Sequence, residues 1–163
     1  MPVLIRKMTE DEFESFRRLS IDDQAKDLMQ ETGLSLEEAF REAGEEFAGM
    51  LPDGMKTADN HLMSVVEEET KEVVGFIWTL HEETEGRKQS FLCDFAITES
   101  KRRKGYGMKA LLLMEHFAME NGCRESVLFV SDSNAPAKAL YRKCGYRSLR
   151  QEAYGEYLIK ILP

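Results

Sequence analysis

The chain has 163 residues, enough for one domain that buries roughly 70% of the surface its unfolded form would expose. With 42% hydrophobic and 32% charged residues, four prolines and no biased tract, it reads as an ordered globular protein. A net charge of −8 argues against nonspecific nucleic-acid binding; with no apolar run near the ~20 residues of a membrane span and no secretion signal in Met1–Lys7, the expected location is cytoplasmic, with neither nucleic-acid nor membrane partners.

Residues 2–7 alternate weakly, which predicts a first strand. Thr9-x-x-Glu12 then has the spacing of a capping box, and Phe13, Phe16, Leu19 and Ile21 form the apolar face of the helix it opens. A second capping box, Ser35-x-x-Glu38, opens a helix on which Leu36, Ala39, Phe40, Ala43, Phe47 and Met50 recur at helical spacing until Pro52-Asp53-Gly54. From His61 the pattern changes to strands over 61–68, 72–81 and 90–97, the last two apolar on both faces and therefore central.

A helix over 105–121 stops at Asn121-Gly122, and a buried strand covers 126–130. The next helix has Pro136 in its first turn and Gly145 just past its end, before two closing strands over 146–150 and 154–162. The order β-α-α-β-β-β-α-β-α-β-β describes an α+β, or mixed α/β, domain built on one central mixed sheet with helices on both faces. Cys93, Cys123 and Cys144 lie in apolar segments without CxxC or Cys/His spacing, so they read as small buried hydrophobes, with neither a disulfide framework nor a metal site.

The chemistry concentrates in Arg102-Arg103-Lys104-Gly105-Tyr106-Gly107-Met108, between a strand and a helix. Two glycines let the backbone pass close to a ligand, the unpaired amides of a first helical turn suit a pyrophosphate, and three basic side chains surround it. The segment lacks the full GxGxxG of a dinucleotide site and the Walker pattern.

Taken with Asp94-Phe95-Ala96-Ile97 and with Asn134, Ala137, Leu140, Tyr141, Gly145 and Tyr146 of the following segment, this loop resembles the GNAT superfamily of acetyl-CoA-dependent N-acetyltransferases. Its cofactor half carries R-x-x-G-x-G followed by N-x-x-A-x-x-L-Y-x-x-x-G-F. The motif match covers about residues 91–146, and residues 35–80 also resemble a bacterial subgroup of unassigned substrate. The resemblance implies a single N-acetyltransferase domain over 1–163 with acetyl-CoA as co-substrate and no metal.

By the same resemblance, the main chain of Phe95, Ala96 and Ile97 hydrogen-bonds the pantetheine arm like an added strand, with a splay between the strands that end at Ile97 and Val130. Amides of Arg103, Lys104, Gly105, Tyr106, Gly107 and Met108 hold the pyrophosphate with Arg102 beside them. Asn134 contacts pantetheine, and Tyr141 is the general acid that protonates the departing thiolate.

The chain departs from the family at the base, since Phe91 and Phe129 stand where family glutamates would align. Asp94, the charged residue within its apolar strand, is the candidate for a catalytic or acceptor-binding carboxylate. His81, Glu82 and Glu83 are further candidates at a strand end. His61 and His116 read as ordinary packing or polar histidines and Trp78 as core. Cys93 has no evident histidine base, so a covalent thiol intermediate is set aside.

The expected acceptor is an amine of a small molecule or a peptide, with a small cationic amine favoured by the acidic first helices. The late strands offer an edge for a homodimer. The reading of another class is a CoA-binding sensor or interaction module that keeps the fold without turnover.

Overall fold

The computed structural model describes residues 2–163. In chain order the elements are β1 (Val3–Lys7), α1 (Glu10–Thr32), α2 (Leu36–Met50), β2 (Asn60–Glu67), β3 (Val73–Thr84), β4 (Arg87–Ile97), α3 (Tyr106–Glu120), β5 (Glu125–Ser131), α4 (Ala135–Lys143), β6 (Arg147–Gln151) and β7 (Gly155–Ile161). Single 3₁₀ turns cover Gly54–Lys56 and Glu99–Lys101. This is the order read from the sequence, in a mixed α/β fold with one seven-stranded sheet. The chain divides into two compact units, one of Met8–Asn60 and one of the remaining residues.

In the first of these units α1 and α2 pack as a pair. The Thr9 box is complete: the Glu12 amide donates to Thr9 Oγ1 at 3.1 Å and the Thr9 amide to Glu12 Oε1 at 2.9 Å. The Ser35 box is half formed, because the Glu38 amide donates to Ser35 Oγ while the Ser35 hydroxyl, not its amide, reaches the Glu38 carboxylate. Alanines at 25, 39 and 43, with Leu28, let the helices approach closely, and Phe13, Phe16 and Phe47 form a tilted aromatic cluster.

Four residues expected on the apolar stripes are exposed: Leu19, Leu36, Phe40 and Met50. Leu19 lies off the face that buries Phe16, Ala25 and Leu28. On α2 only the central Ala39, Ala43 and Phe47 are buried.

The second unit is the sheet, ordered β1-β2-β3-β4-β5-β7-β6, with β4 and β5 parallel between antiparallel ladders. Tyr106, Ala110, Leu111 and Met114 of α3 and Tyr141 of α4 share one core with Leu92, Ile97, Leu128, Val130 and Leu158, so both helices cover the same face. Glycine is needed at 75, where a Cβ would lie 2.4 Å from the Ala96 carbonyl oxygen on the next strand. Gly122 and Gly145, at φ +84° and +98°, end α3 and α4 in the left-handed conformation expected of them.

Among the described residues, no helix is long and apolar enough to cross a membrane. The three cysteines are unpaired, with Cys123 buried and Cys93 and Cys144 half-buried. Trp78 is core, while His81 is buried on the α3 face in an aromatic cluster with His61 and Phe117.

Candidate active site

The site begins where two parallel strands part. Pairing of β4 with β5 runs from Gln89 opposite Glu125 to Leu92 opposite Leu128 and stops, although β4 continues to Ile97 and β5 to Ser131. On the other side, β4 keeps its ladder with β3 through a register shift: Trp78 opposes Asp94, Thr79 opposes Leu92, and Cys93 is the extra residue. A one-residue bulge bends its strand and sharpens local twist, which turns the end of β4 away from β5. The splay expected from the motif is therefore present.

The exposed edge has a defined polarity. The Thr98 amide donates to the Val74 carbonyl at 2.8 Å, and hydrogen-bonded pairs alternate with non-bonded ones in an antiparallel ladder. Ala96 thus turns its main-chain groups to β3, whereas Phe95 and Ile97 turn theirs toward the gap. Two of those groups are engaged by side chains: Arg102 Nε donates to the Ile97 carbonyl and the Phe95 amide donates to Asp94 Oδ1, both at 2.9 Å.

At the end of β4 the chain turns through Arg103 at φ +63° and Gly105 at φ +85° into the first turn of α3. Left-handed backbone at such a turn gathers successive amides into an anion-binding concavity, and the first-turn amides of a helix lie beyond the reach of its own carbonyls. Gly107 serves a different need, since a Cβ there would lie 3.2 Å from Leu140 of α4. Arg103 and Lys104 are exposed, while Arg102 serves as a strut to β4.

The Tyr106 side chain turns inward, a feature the sequence pattern did not reveal. Its hydroxyl donates to Glu67 Oε2 of β2 at 2.5 Å, with both residues buried. Lys101 reaches Glu72 at 2.9 Å, so the β2–β3 turn is tied to the loop twice. Glu67 gave no local signal, because an acidic residue leading into the polar 67–72 segment reads as part of a solvated turn.

Tyr141 lies on the buried side of α4, its ring edge-on to Tyr146 at 5.8 Å. Burial, then the negative charge of Asp94 and the neighbouring Cys144, push its phenol up to about 12, so it is protonated throughout the neutral range. Asp94 is half-buried on the opposite sheet face. Burial and the charges of Asp94 and Glu82 push the Cys93 thiol up to about 12, which leaves almost no thiolate at neutral pH. Asn134 caps α4, its Oδ1 accepting from the Ala137 amide at 3.3 Å.

The bulge, the loop, Asp94 and Tyr141 come together in this unit, whereas the buried His81 faces α3. Among the described residues no group of three or more His, Cys, Asp and Glu could hold a metal.

Comparison with known proteins agrees with this geometry. The profile of the acetyltransferase (GNAT) family matches residues 26–146. YdgE of Bacillus subtilis, an uncharacterized N-acetyltransferase, is 30% identical over 146 residues, spanning 90% of this chain and 92% of that one. YycN of the same organism, also an uncharacterized N-acetyltransferase, is 29% identical over 147 residues, 90% of this chain and 94% of that one. Its crystal structure superposes with a TM-score of 0.82 over 93% of this chain and 96% of that one. PaiA N-acetyltransferase from Thermoplasma acidophilum, solved with coenzyme A, shares the fold at a TM-score of 0.70 and 18% identity over 99% of each chain. The chain belongs to the acetyltransferase (GNAT) family, acyltransferases that take acetyl-CoA as co-substrate.

Proposed function

We propose that this chain transfers the acetyl group of acetyl-CoA directly to the primary amine of a small cationic molecule in the cytoplasm, with residues 1–163 acting as one domain. The family match from 26 to 146 supports the single-domain reading, because it begins in the helical unit and runs through most of the sheet unit. The observation that carries the proposal is the unzipped edge of β4, with Phe95 and Ile97 turned toward a gap that ends at the amide-lined loop.

The pantetheine arm adds to that edge as a strand would, with Asn134 alongside, and the pyrophosphate rests on the amides of Arg103–Met108. Strand addition at the Phe95 amide takes over the bond which that amide gives Asp94 Oδ1. Acetyl-CoA supplies an activated thioester carbonyl. A neutral amine attacks that carbon as the carbon–sulfur bond breaks; Tyr141 gives its proton to the departing thiolate, and Asp94 receives the proton shed by the amine. A second copy of the chain would pair along the exposed edge strand β6.

The test is thiol release from acetyl-CoA against a panel of amines, with calorimetry of CoA binding, in the natural protein and in Tyr141→Phe. The expected result is turnover that falls about 10² to 10⁴-fold in the variant with CoA affinity retained. Tight CoA binding without turnover for any amine favours the sensor reading, and failure to bind CoA removes the proposal.

A further inference from the structure

Three aromatic side chains cross neighbouring strands on the sheet face turned away from α3 and α4. Phe91 of β4 stands beside Val127, Phe129 opposes Tyr157 of β7, and Tyr157 opposes Arg150 of β6. Ring centroids lie 6.5 Å apart from Phe91 to Tyr157 and 5.1 Å from Tyr157 to Phe129. Leu92, Leu128, Val130 and Leu158, between these positions in sequence, point into the core with α3 and α4.

Phe129 is the first residue of β5 beyond the last pair with β4, so it stands at the lip of the gap, 44% exposed. Its ring is seated rather than loose. Gly155 lies beneath it, where a Cβ would come within 2.5 Å of Phe129 Cζ, and Tyr157 meets its edge. Asp94 shares this face, because it opposes Trp78 while Phe91 opposes Leu80, two residues along β3. An aromatic row therefore runs up to the carboxylate.

We infer that Phe129, with Tyr157 and Phe91, selects an acceptor whose amine is borne on an aromatic body: an arylalkyl monoamine. The inference rests on the acetyl-transfer reading and narrows its acceptor. Aromatic faces stack well with flat apolar groups, and Asp94 complements a single ammonium entering beside the thioester. A polyamine needs places for several positive charges. Here the face of Tyr157 already holds a cation, the Arg150 guanidinium 4.7 Å from its centroid, itself paired with Glu152 at 2.7 Å. A second ammonium reaching along the row would meet a filled position.

The experiment measures thiol release from acetyl-CoA with phenethylamine and tryptamine against putrescine, spermidine and a short peptide, using the natural protein, Phe129→Ala and Phe129→Leu. Phe129 is substantially exposed, so both variants are expected to fold, with CoA affinity by calorimetry as the control. The expected outcome is preference for the arylalkylamines and a KM for them raised about tenfold in Phe129→Ala, with kcat kept and Phe129→Leu in between. Turnover confined to polyamines or the peptide, or an unchanged preference in Phe129→Ala, overturns the inference and leaves acetyl transfer standing. Where no amine turns over, calorimetry of phenethylamine with the CoA-loaded protein decides: binding lost in Phe129→Ala supports the platform, and absence of binding overturns it.

Discussion

The phenol of Tyr106 and the carboxylate of Glu67 form a buried hydrogen bond that joins the first residue of α3 to the last residue of β2. The bond to Glu67, then burial, push the phenol up to about 12, so Tyr106 is a donor under all working conditions. Removing it in Tyr106→Phe leaves a buried carboxylate without that donor. A hydrogen bond to a charged group contributes enough that the thermal midpoint should fall by roughly 5 °C. Glu67→Gln, which keeps an acceptor oxygen, should fall less, as scanning calorimetry of both variants would reveal. Equal losses, or none, would mean that the bond does not hold the loop.

Alkali should unfold the protein through its buried phenols. Burial raises Tyr141 to about 12 and raises Tyr146 strongly, while Glu67 and burial raise Tyr106 to about 12. An unfolded tyrosine titrates near pH 10. The folded state therefore holds more protons than the unfolded one above that pH, so this stabilisation is intact below about pH 10 and is lost as pH rises toward 12. Urea midpoints should be flat up to about pH 9.5 and then decline, with the tyrosinate absorbance of these three residues appearing together with unfolding. Tyrosinate at all five tyrosines near pH 10 with the fold intact would contradict the burial argument.

The order of elements was legible because punctuation residues sit at nearly every boundary: Thr9 and Glu12 at the start of α1, Gly122 after α3, Pro136 and Gly145 around α4. The loop was legible because its chemistry is local, two glycines and the amides of one helical turn. The bulge was not. Residues 91–97 are apolar on both faces, so no alternation marks Cys93 as the extra residue, and only pairing with β3 reveals it. The inward turn of Tyr106 escaped for the same reason, since its partner lies 39 residues earlier in the chain. Leu19 and Phe40 misled because spacing alone does not tell which apolar residues a neighbouring helix will cover.

Glu115 shows how distant residues can make one polar island. This buried α3 carboxylate accepts from Lys160 Nζ at 2.7 Å and from the Tyr146 hydroxyl at 3.2 Å, and that hydroxyl lies 2.7 Å from Ser126 Oγ. Lys160→Met should destabilise by about 3 kcal/mol, near the lower end for breaking a buried pair because the lysine is partly exposed. Replacing both members, as Glu115→Leu with Lys160→Met, should recover most of the loss, since it removes the stranded charge. Urea denaturation of the three variants would measure this; additive losses would show that the pair is not coupled.

A tight spot in the β3–β4 ladder, at Gly75, lies beside the proposed cofactor edge. A Cβ at Gly75 would meet the Ala96 carbonyl oxygen at 2.4 Å and Ile97 Cα at 3.2 Å, both backbone atoms that cannot swing aside. Gly75→Ala must therefore push the end of β4 toward the gap, at a cost of about 2 kcal/mol for an overpacked site. That displacement moves Phe95 and Ile97, the residues whose main chain would receive pantetheine. CoA affinity should fall about tenfold or more, beyond anything expected from stability alone while the variant remains folded at the assay temperature. Calorimetric titration beside a thermal melt separates the two effects. A protein with a lowered melting point and undiminished CoA affinity would place the pantetheine arm somewhere other than the open edge of β4.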